Sequence, residues 1–238
     1  MEIFFHSETW ISLLTLTFLE IVLGIDNIIF ISIVADKLPQ EHQSRARTIG
    51  LLLAIVVRIA LLFGISWIIH LTEPILTIQE FKLSVRDLIL IIGGLFLLAK
   101  STSEIHQKIE GESVEESATE AAMNSVAHAI TQIVLLDVVF SFDSILTAVG
   151  LSDEIIIMIC AVVISLFVML FFAKSISDFV NKNPTVKMLA LAFLLMIGTL
   201  LILDGAHIHV PKGYIYFSLA FSLLVEFLNQ KMRKKKTV

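Results

Sequence analysis

Four acidic residues stand in a part of the chain that is otherwise apolar. Glu20 and Asp26 interrupt one long hydrophobic run, and Asp137 and Asp143 interrupt another. An acid at the centre of a membrane span costs about 2.5–3.5 kcal/mol on insertion scales, so four facing lipid as charges would cost on the order of 10 kcal/mol. They must therefore face a protein interior, share protons or bind a cation. Asn27 and Ser144 add side-chain oxygens directly after the second acid of each pair. Carboxylate, amide and hydroxyl oxygens suit hard divalent cations such as manganese, magnesium or calcium. No histidine or cysteine adjoins the acids, which disfavours zinc and copper. The competing structural reading is a buried ion pair with Arg58, the only base deep in an apolar run. One arginine cannot neutralise four acids, although any single acid could be its partner.

The two acid-bearing runs align without a gap. Glu20-Ile-Val-Leu-Gly24-Ile-Asp26-Asn27 matches Asp137-Val-Val-Phe-Ser141-Phe-Asp143-Ser144. Glu20, Gly24 and Asn27 share one helix face, as do Asp137, Ser141 and Ser144. Asp26 and Asp143 fall six residues after the first acids, about 120° round a regular helix. Either the acids serve different neighbours, or the helices unwind near Gly24 and Ser141 and free backbone carbonyls as ligands. A weaker echo pairs Gly94-Leu-Phe-Leu-Leu-Ala-Lys100 with Gly198-Thr-Leu-Leu-Ile-Leu-Asp204. Arg58, Lys100 and Asp204 are read as charge partners or gating groups.

The elements that must carry these residues are membrane helices. Of 238 residues, 57% are hydrophobic and only 16% charged, too few to coat a soluble globule of this size. Spans are expected at 10–35, 48–71, 86–100, 128–150, 154–173, 185–204 and 214–229. The third is short, and is either tilted, continued by the polar 101–106 segment, or partly spanning. The fold class is thus all-α and polytopic, with about seven transmembrane helices. A repeat unit of three helices must invert its next copy, giving two inverted three-helix repeats plus a C-terminal helix. The domain reading is 1–100 for the first repeat and 101–127 for an acidic cytoplasmic linker. The second repeat takes 128–204, and 205–238 form the final helix and basic tail.

The basic tail, Lys231 and Arg233 to Lys236, predicts a cytoplasmic C-terminus and an outside N-terminus. Of the 17 basic residues, only Lys82, Arg86 and Lys212 fall in outside loops, and Arg58 lies within a span. The N-terminus has no basic stretch before its first apolar run, so it reads as a mature helix rather than a signal peptide. A net charge of -5 excludes nucleic acid as the expected partner. The lone Cys160 excludes an internal disulfide. Trp10, Trp67, Tyr214 and Tyr216 suit interfacial belts. His207 and His209, two apart, do not share a helix face.

At the two acid motifs the chain resembles the TerC family of integral membrane proteins. The stretch Gly93-Gly94-Leu-Phe-Leu-Leu-Ala-Lys100 with Glu104 and His106, and the segment from His207 to Phe217, carry the same resemblance. It covers nearly the whole chain. It implies a LysE-like transporter of paired three-helix units plus one helix, exporting manganese across a bacterial plasma (inner) membrane. The chain departs from the family pattern at Asp204, where glutamate is usual; the charge is kept and the reach shortened. Asp204 is then either a proton acceptor on the outer side or a polar residue at a helix end.

The expected function is a secondary transporter exporting a divalent cation, Mn2+ foremost, with Ca2+ or Mg2+ as alternatives. Its ligands would be Glu20, Asp26, Asn27, Asp137, Asp143 and Ser144. Proton coupling fits crowded acids. No Gly-x4-Gly-Lys nucleotide loop is present, so ATP is not the direct energy source. The metal is cargo, and no bound cofactor is expected. The expected partners are the divalent ion, the lipid bilayer and membrane proteins, with the oligomeric state left open. A different reading is a membrane partner that delivers metal to secreted enzymes, docking through 101–127. An intramembrane aspartyl enzyme would use two aspartates sharing a proton. The Gly-x-Gly-Asp context of those proteases and the His-Glu-x2-His zinc motif are both missing, so no enzyme is expected.

Overall fold

The computed structural model describes residues 7–64, 69–78, 81–110, 120–151 and 154–236. Among them are seven long helices and one hairpin. The helices are α1 (Ser7–Asp36), α2 (Gln40–Phe63), α3 (Val85–Glu110), α4 (Glu120–Leu151), α5 (Ile155–Lys182), α6 (Pro184–Gly205) and α7 (Lys212–Lys236). Strands β1 (Pro74–Ile78) and β2 (Phe81–Ser84) pair antiparallel between α2 and α3, with Thr77 opposite Lys82.

Six of these helices, α1 to α6, are long and apolar enough to cross a membrane. The seventh expected span exists as α7 but falls short of that combined length and apolarity. Most helices overrun the apolar stretches read from sequence. The third is the clearest case. It is not a short span ending at Lys100, because Ser101 to Glu110 continue the same helix. Glu104, Gln107 and Lys108 are good helix formers, so the helix persists where the hydropathy stops. The second expected span, 48–71, begins earlier in the structure, at Gln40. α2 itself closes at Phe63, with the Gly64 amide bonded to the Ala60 carbonyl; of the rest of the expected span, 65–68 lie outside the described residues and 69–70 are helical ahead of the hairpin. The linker read at 101–127 is largely helix. Only 111–119 of it, with Glu112, Glu115 and Glu116, lies outside the described residues.

Both acid-bearing helices run unbroken. α1 is continuous through Gly24 and Asp26, and α4 through Ser141 and Asp143. The unwound alternative is therefore not the one adopted, and the carbonyls at these points belong to helices.

The chain divides into two compact units: Met1–Arg86 with Glu115–Asp178, and Asp87–Val114 with Phe179–Val238. In the first unit α4 packs most extensively on α2, and also on α1. Leu16, Leu51, Leu62, Ile133, Leu136 and Ile145 are fully enclosed. Gly50 lets Ile133 approach to 3.0 Å of where a Cβ would stand. In the second unit α3 meets α6 at Gly94 and Gly198, where an added Cβ would lie 2.5 Å and 3.0 Å from the other glycine's carbonyl oxygen. Small residues at such crossings let membrane helices pack backbone to backbone. Large apolar side chains, among them Phe18, Phe63, Phe167, Phe171 and Phe217, remain exposed. That is untenable in water over so many residues and natural against lipid tails.

Candidate functional site

The first unit holds a buried charge cluster. α1 contributes Glu20 and Asn27, α2 contributes Arg58, and α4 contributes Asp137, Ser141 and Ser144. All six are buried, none more than 5% exposed. Arg58 lies among apolar neighbours on α2, and its guanidinium forks between two helices. Nη1 donates to Glu20 Oε2 at 2.5 Å, Nη2 to Asp137 Oδ1 at 3.1 Å, and Nε to Ser141 Oγ at 2.9 Å. Asn27 Nδ2 donates to the same Asp137 Oδ1 at 2.8 Å. Ser141, one turn after Asp137, donates to its Oδ2 at 3.1 Å. A planar guanidinium with donors in fixed directions suits this bridging where a lysine would not.

Among the described residues the cluster has two carboxylates and one cation. Coulomb attraction inside a low-dielectric interior repays the desolvation of the charges only where further hydrogen bonds satisfy them. Asn27 and Ser141 supply such bonds to Asp137, and Ser141 to Arg58 as well. A cavity of about 20 Å3 adjoins the cluster, lined by Asn27, Leu51, Ala54, Arg58, Asp137 and Met169. That is room for one water-sized guest. Met169 lies against Gly24, its sulfur occupying the space a side chain there would take.

The structure thus brings Glu20, Asn27, Asp137 and Arg58 together. It places Ser144 nearby on α4, with its hydroxyl donating at 3.2 Å to the Ser141 carbonyl. The side chains of Asp26 and Asp143 lie outside the described residues. Among the described residues, no three His, Cys, Asp or Glu side chains converge as a metal-binding group. Lys100 and Asp204 belong to the second unit. Lys100 pairs with Glu104 one turn on, at 3.2 Å. Asp204 Oδ1 lies 3.5 Å from His209 Nδ1.

Four further polar residues, Ser141, Asp87, His207 and Arg47, lie outside the site set expected from sequence. Ser141 was noted only as a small residue on the acid-bearing face, yet it contacts both Asp137 and Arg58. Asp87 is buried at the start of α3, and His207 Nε2 lies 3.0 Å from its Oδ2. His207 has φ 64, and the Ile208 and His207 amides bond back to Leu203 and Asp204. This is a Schellman ending of α6, usually built on glycine. Arg47, expected in a loop, is buried within α2 and donates to the buried Ser177 on α5. No sequence signal distinguishes it from the solvated bases around it.

The fold and the cluster define a class: a polytopic helical membrane protein with a buried, charge-lined polar site. The sequence profile described as "Integral membrane protein TerC family" matches residues 5–237, and the chain belongs to that family. It is 55% identical over 228 residues to "UPF0053 inner membrane protein YgdQ" of Escherichia coli, covering 96% of this chain and 95% of that protein. It is 49% identical over 227 residues to a "UPF0053 protein" of Haemophilus influenzae, 95% of each chain. It is 47% identical over 234 residues to "UPF0053 inner membrane protein YoaE" of Escherichia coli, covering 98% of this chain but 45% of that longer protein. No solved structure matches the chain.

Proposed function

We propose that this protein is a secondary transporter of the bacterial inner membrane that exports a divalent metal cation, Mn2+ foremost, from the cytoplasm. The observation that carries the reading is the meeting of Glu20 and Asp137. The two acids occupy matched positions in the aligned motifs of α1 and α4, and both are buried on one guanidinium beside a small cavity. Intramembrane acids facing a protein interior mark ion pathways more often than structural pairs. The inner-membrane names of the relatives YgdQ and YoaE support the location.

In this reading two inverted three-helix repeats form the carrier, and α7 completes it with the C-terminus in the cytoplasm. The meeting of Gly94 with Gly198, also matched in the two repeats, supports the same internal relation. The cation is taken by carboxylate, amide and hydroxyl oxygens of Glu20, Asp26, Asn27, Asp137, Asp143 and Ser144, with Arg58 as charge partner. Lys100 and Asp204 are assigned gating roles. Oxygen ligands suit Mn2+, Mg2+ and Ca2+ alike, and the family resemblance favours manganese. Transport is carried without a resident cofactor or a catalysed reaction, and protons are the coupling ion.

The test replaces Asp26 or Asp143 by Asn in cells grown under manganese load. Cellular manganese should rise and growth should fall relative to cells with the unaltered protein, at equal membrane abundance. Normal manganese content and tolerance in both variants would sink the assignment.

A further inference from the structure

A carboxylate oxygen offers two lone pairs. Asp137 Oδ1 already accepts from Arg58 Nη2 and from Asn27 Nδ2, and Asp137 Oδ2 accepts from Ser141. Glu20 Oε2 is taken by Arg58 Nη1. Arg58 therefore stands in the bridging position between the two carboxylates that a cation shared by them would need. The adjoining cavity, about 20 Å3, takes one water-sized guest and has no room for a guanidinium group beside it. A metal ion shared by Glu20 Oε2 and Asp137 Oδ1, the two oxygens that Arg58 bridges, would have to displace its guanidinium.

The charge balance points the same way. With Arg58 in place, Glu20 and Asp137, the two described carboxylates that it touches, face one positive charge. A divalent ion bridging the same two would bring two. A carrier without metal would otherwise hold two unpaired carboxylates in an apolar interior, which is costly.

We propose that Arg58 is the resident cation of the transport site, holding Glu20 and Asp137 when no metal is bound and yielding them to a divalent ion, so that guanidinium and metal occupy the two acids in alternation. This rests on the reading of the cluster as the transport site. Arg58 is then a competitor of the cargo as well as its stand-in. It weakens metal binding, which eases release, and it keeps the metal-free carrier neutral enough to reset.

The experiment measures Mn2+ binding and Mn2+ flux separately. Free Mn2+ is followed by its paramagnetic resonance over the purified protein in detergent, and flux is followed in proteoliposomes. Arg58→Gln should bind Mn2+ about tenfold more tightly or better, because a charged competitor is gone, while its net flux collapses. A purely structural arginine predicts the reverse, with weaker binding as the two acids repel and the site loosens. Arg58→Lys, a point charge that cannot bridge both acids, should bind with intermediate affinity and keep part of the flux. It decides the matter if Arg58→Gln does not purify as a monodisperse protein. Unchanged or weaker Mn2+ binding in the folded variant overturns the proposal while leaving export intact. An unaltered protein that neither binds nor moves Mn2+, Ca2+ or Mg2+ overturns the export reading, and this inference with it.

Discussion

Ser141 and Ser144 sit three residues apart on α4, and their hydroxyls have different tasks. Ser141 Oγ accepts from Arg58 and donates to Asp137, so it stitches the cation to one of its acids. Its removal leaves an Arg58 N–H and an Asp137 oxygen each one partner short, in buried surroundings. Leaving buried polar groups unsatisfied costs about 1–3 kcal/mol. Among the described residues, Ser144 Oγ donates to a carbonyl of its own helix, and such a bond contributes little to helix stability. Ser141→Ala should therefore lower the unfolding temperature of the detergent-purified protein clearly, and Ser144→Ala hardly at all. If Ser144 is a cargo ligand, its variant should instead lose Mn2+ affinity at unchanged stability. Equal thermal shifts in the two variants would mean that Ser141 does not join the ion pairs.

Glycines set the helix crossings, and their surroundings decide how much a methyl group costs. At Gly24 the nearest neighbour of an added Cβ is the Met169 sulfur at 2.2 Å. A methionine is unbranched and can swing aside. At Gly94 the nearest neighbour is the Gly198 carbonyl oxygen at 2.5 Å, with the Ile202 backbone nitrogen at 3.1 Å. Backbone atoms cannot turn away, so α3 and α6 must separate. Overpacking of that kind costs roughly 1–3 kcal/mol or more. Gly94→Ala should thus destabilise the protein well beyond Gly24→Ala in the same thermal assay, and Met169→Ala should relieve only the second. The same elements show what a sequence can reveal. The four acids stood out because each interrupts an apolar run, and Arg58 because no other base does so. Which acids Arg58 joins was not legible, since periodicity orders residues around one helix and says nothing of how two helices face each other. Asp87 was hidden because it stands in the first turn of an expected span, where a charge is ordinary. His207 was hidden because its left-handed backbone depends on the ending of α6 rather than on its own residue type. Helix ends were misplaced wherever polar helix formers extend a span beyond its apolar part, as at Ser101 to Glu110.

At the scale of the molecule, α7 decides the topology. Six crossings would put both ends of the chain on one side, and seven would separate them. α7 has 25 residues, about 37 Å at 1.5 Å per residue, against a hydrocarbon core of about 30 Å. Its apolar part is shorter than that, yet both of its ends carry residues that extend a span. Tyr214 and Tyr216 lie near the start, where aromatic rings settle at an interface, and Lys231 begins a basic stretch whose side chains can snorkel. Phe217, Phe221, Leu224, Phe227 and Leu228 are all at least half exposed, as a helix flanked mainly by lipid would be. These features favour a crossing and hence a cytoplasmic C-terminus. Alkaline phosphatase, which is active only outside the cytoplasm, distinguishes the cases when fused after Ala206 or after Val238. The first fusion should be active and the second silent. A green fluorescent protein, which lights up only inside, should give the opposite pattern at the same two points. Matching signals at both points would show that α7 lies along the membrane without crossing it. The basic tail would then share a side with Ala206, and the excess of Lys and Arg on the loops expected in the cytoplasm would have to be explained without it.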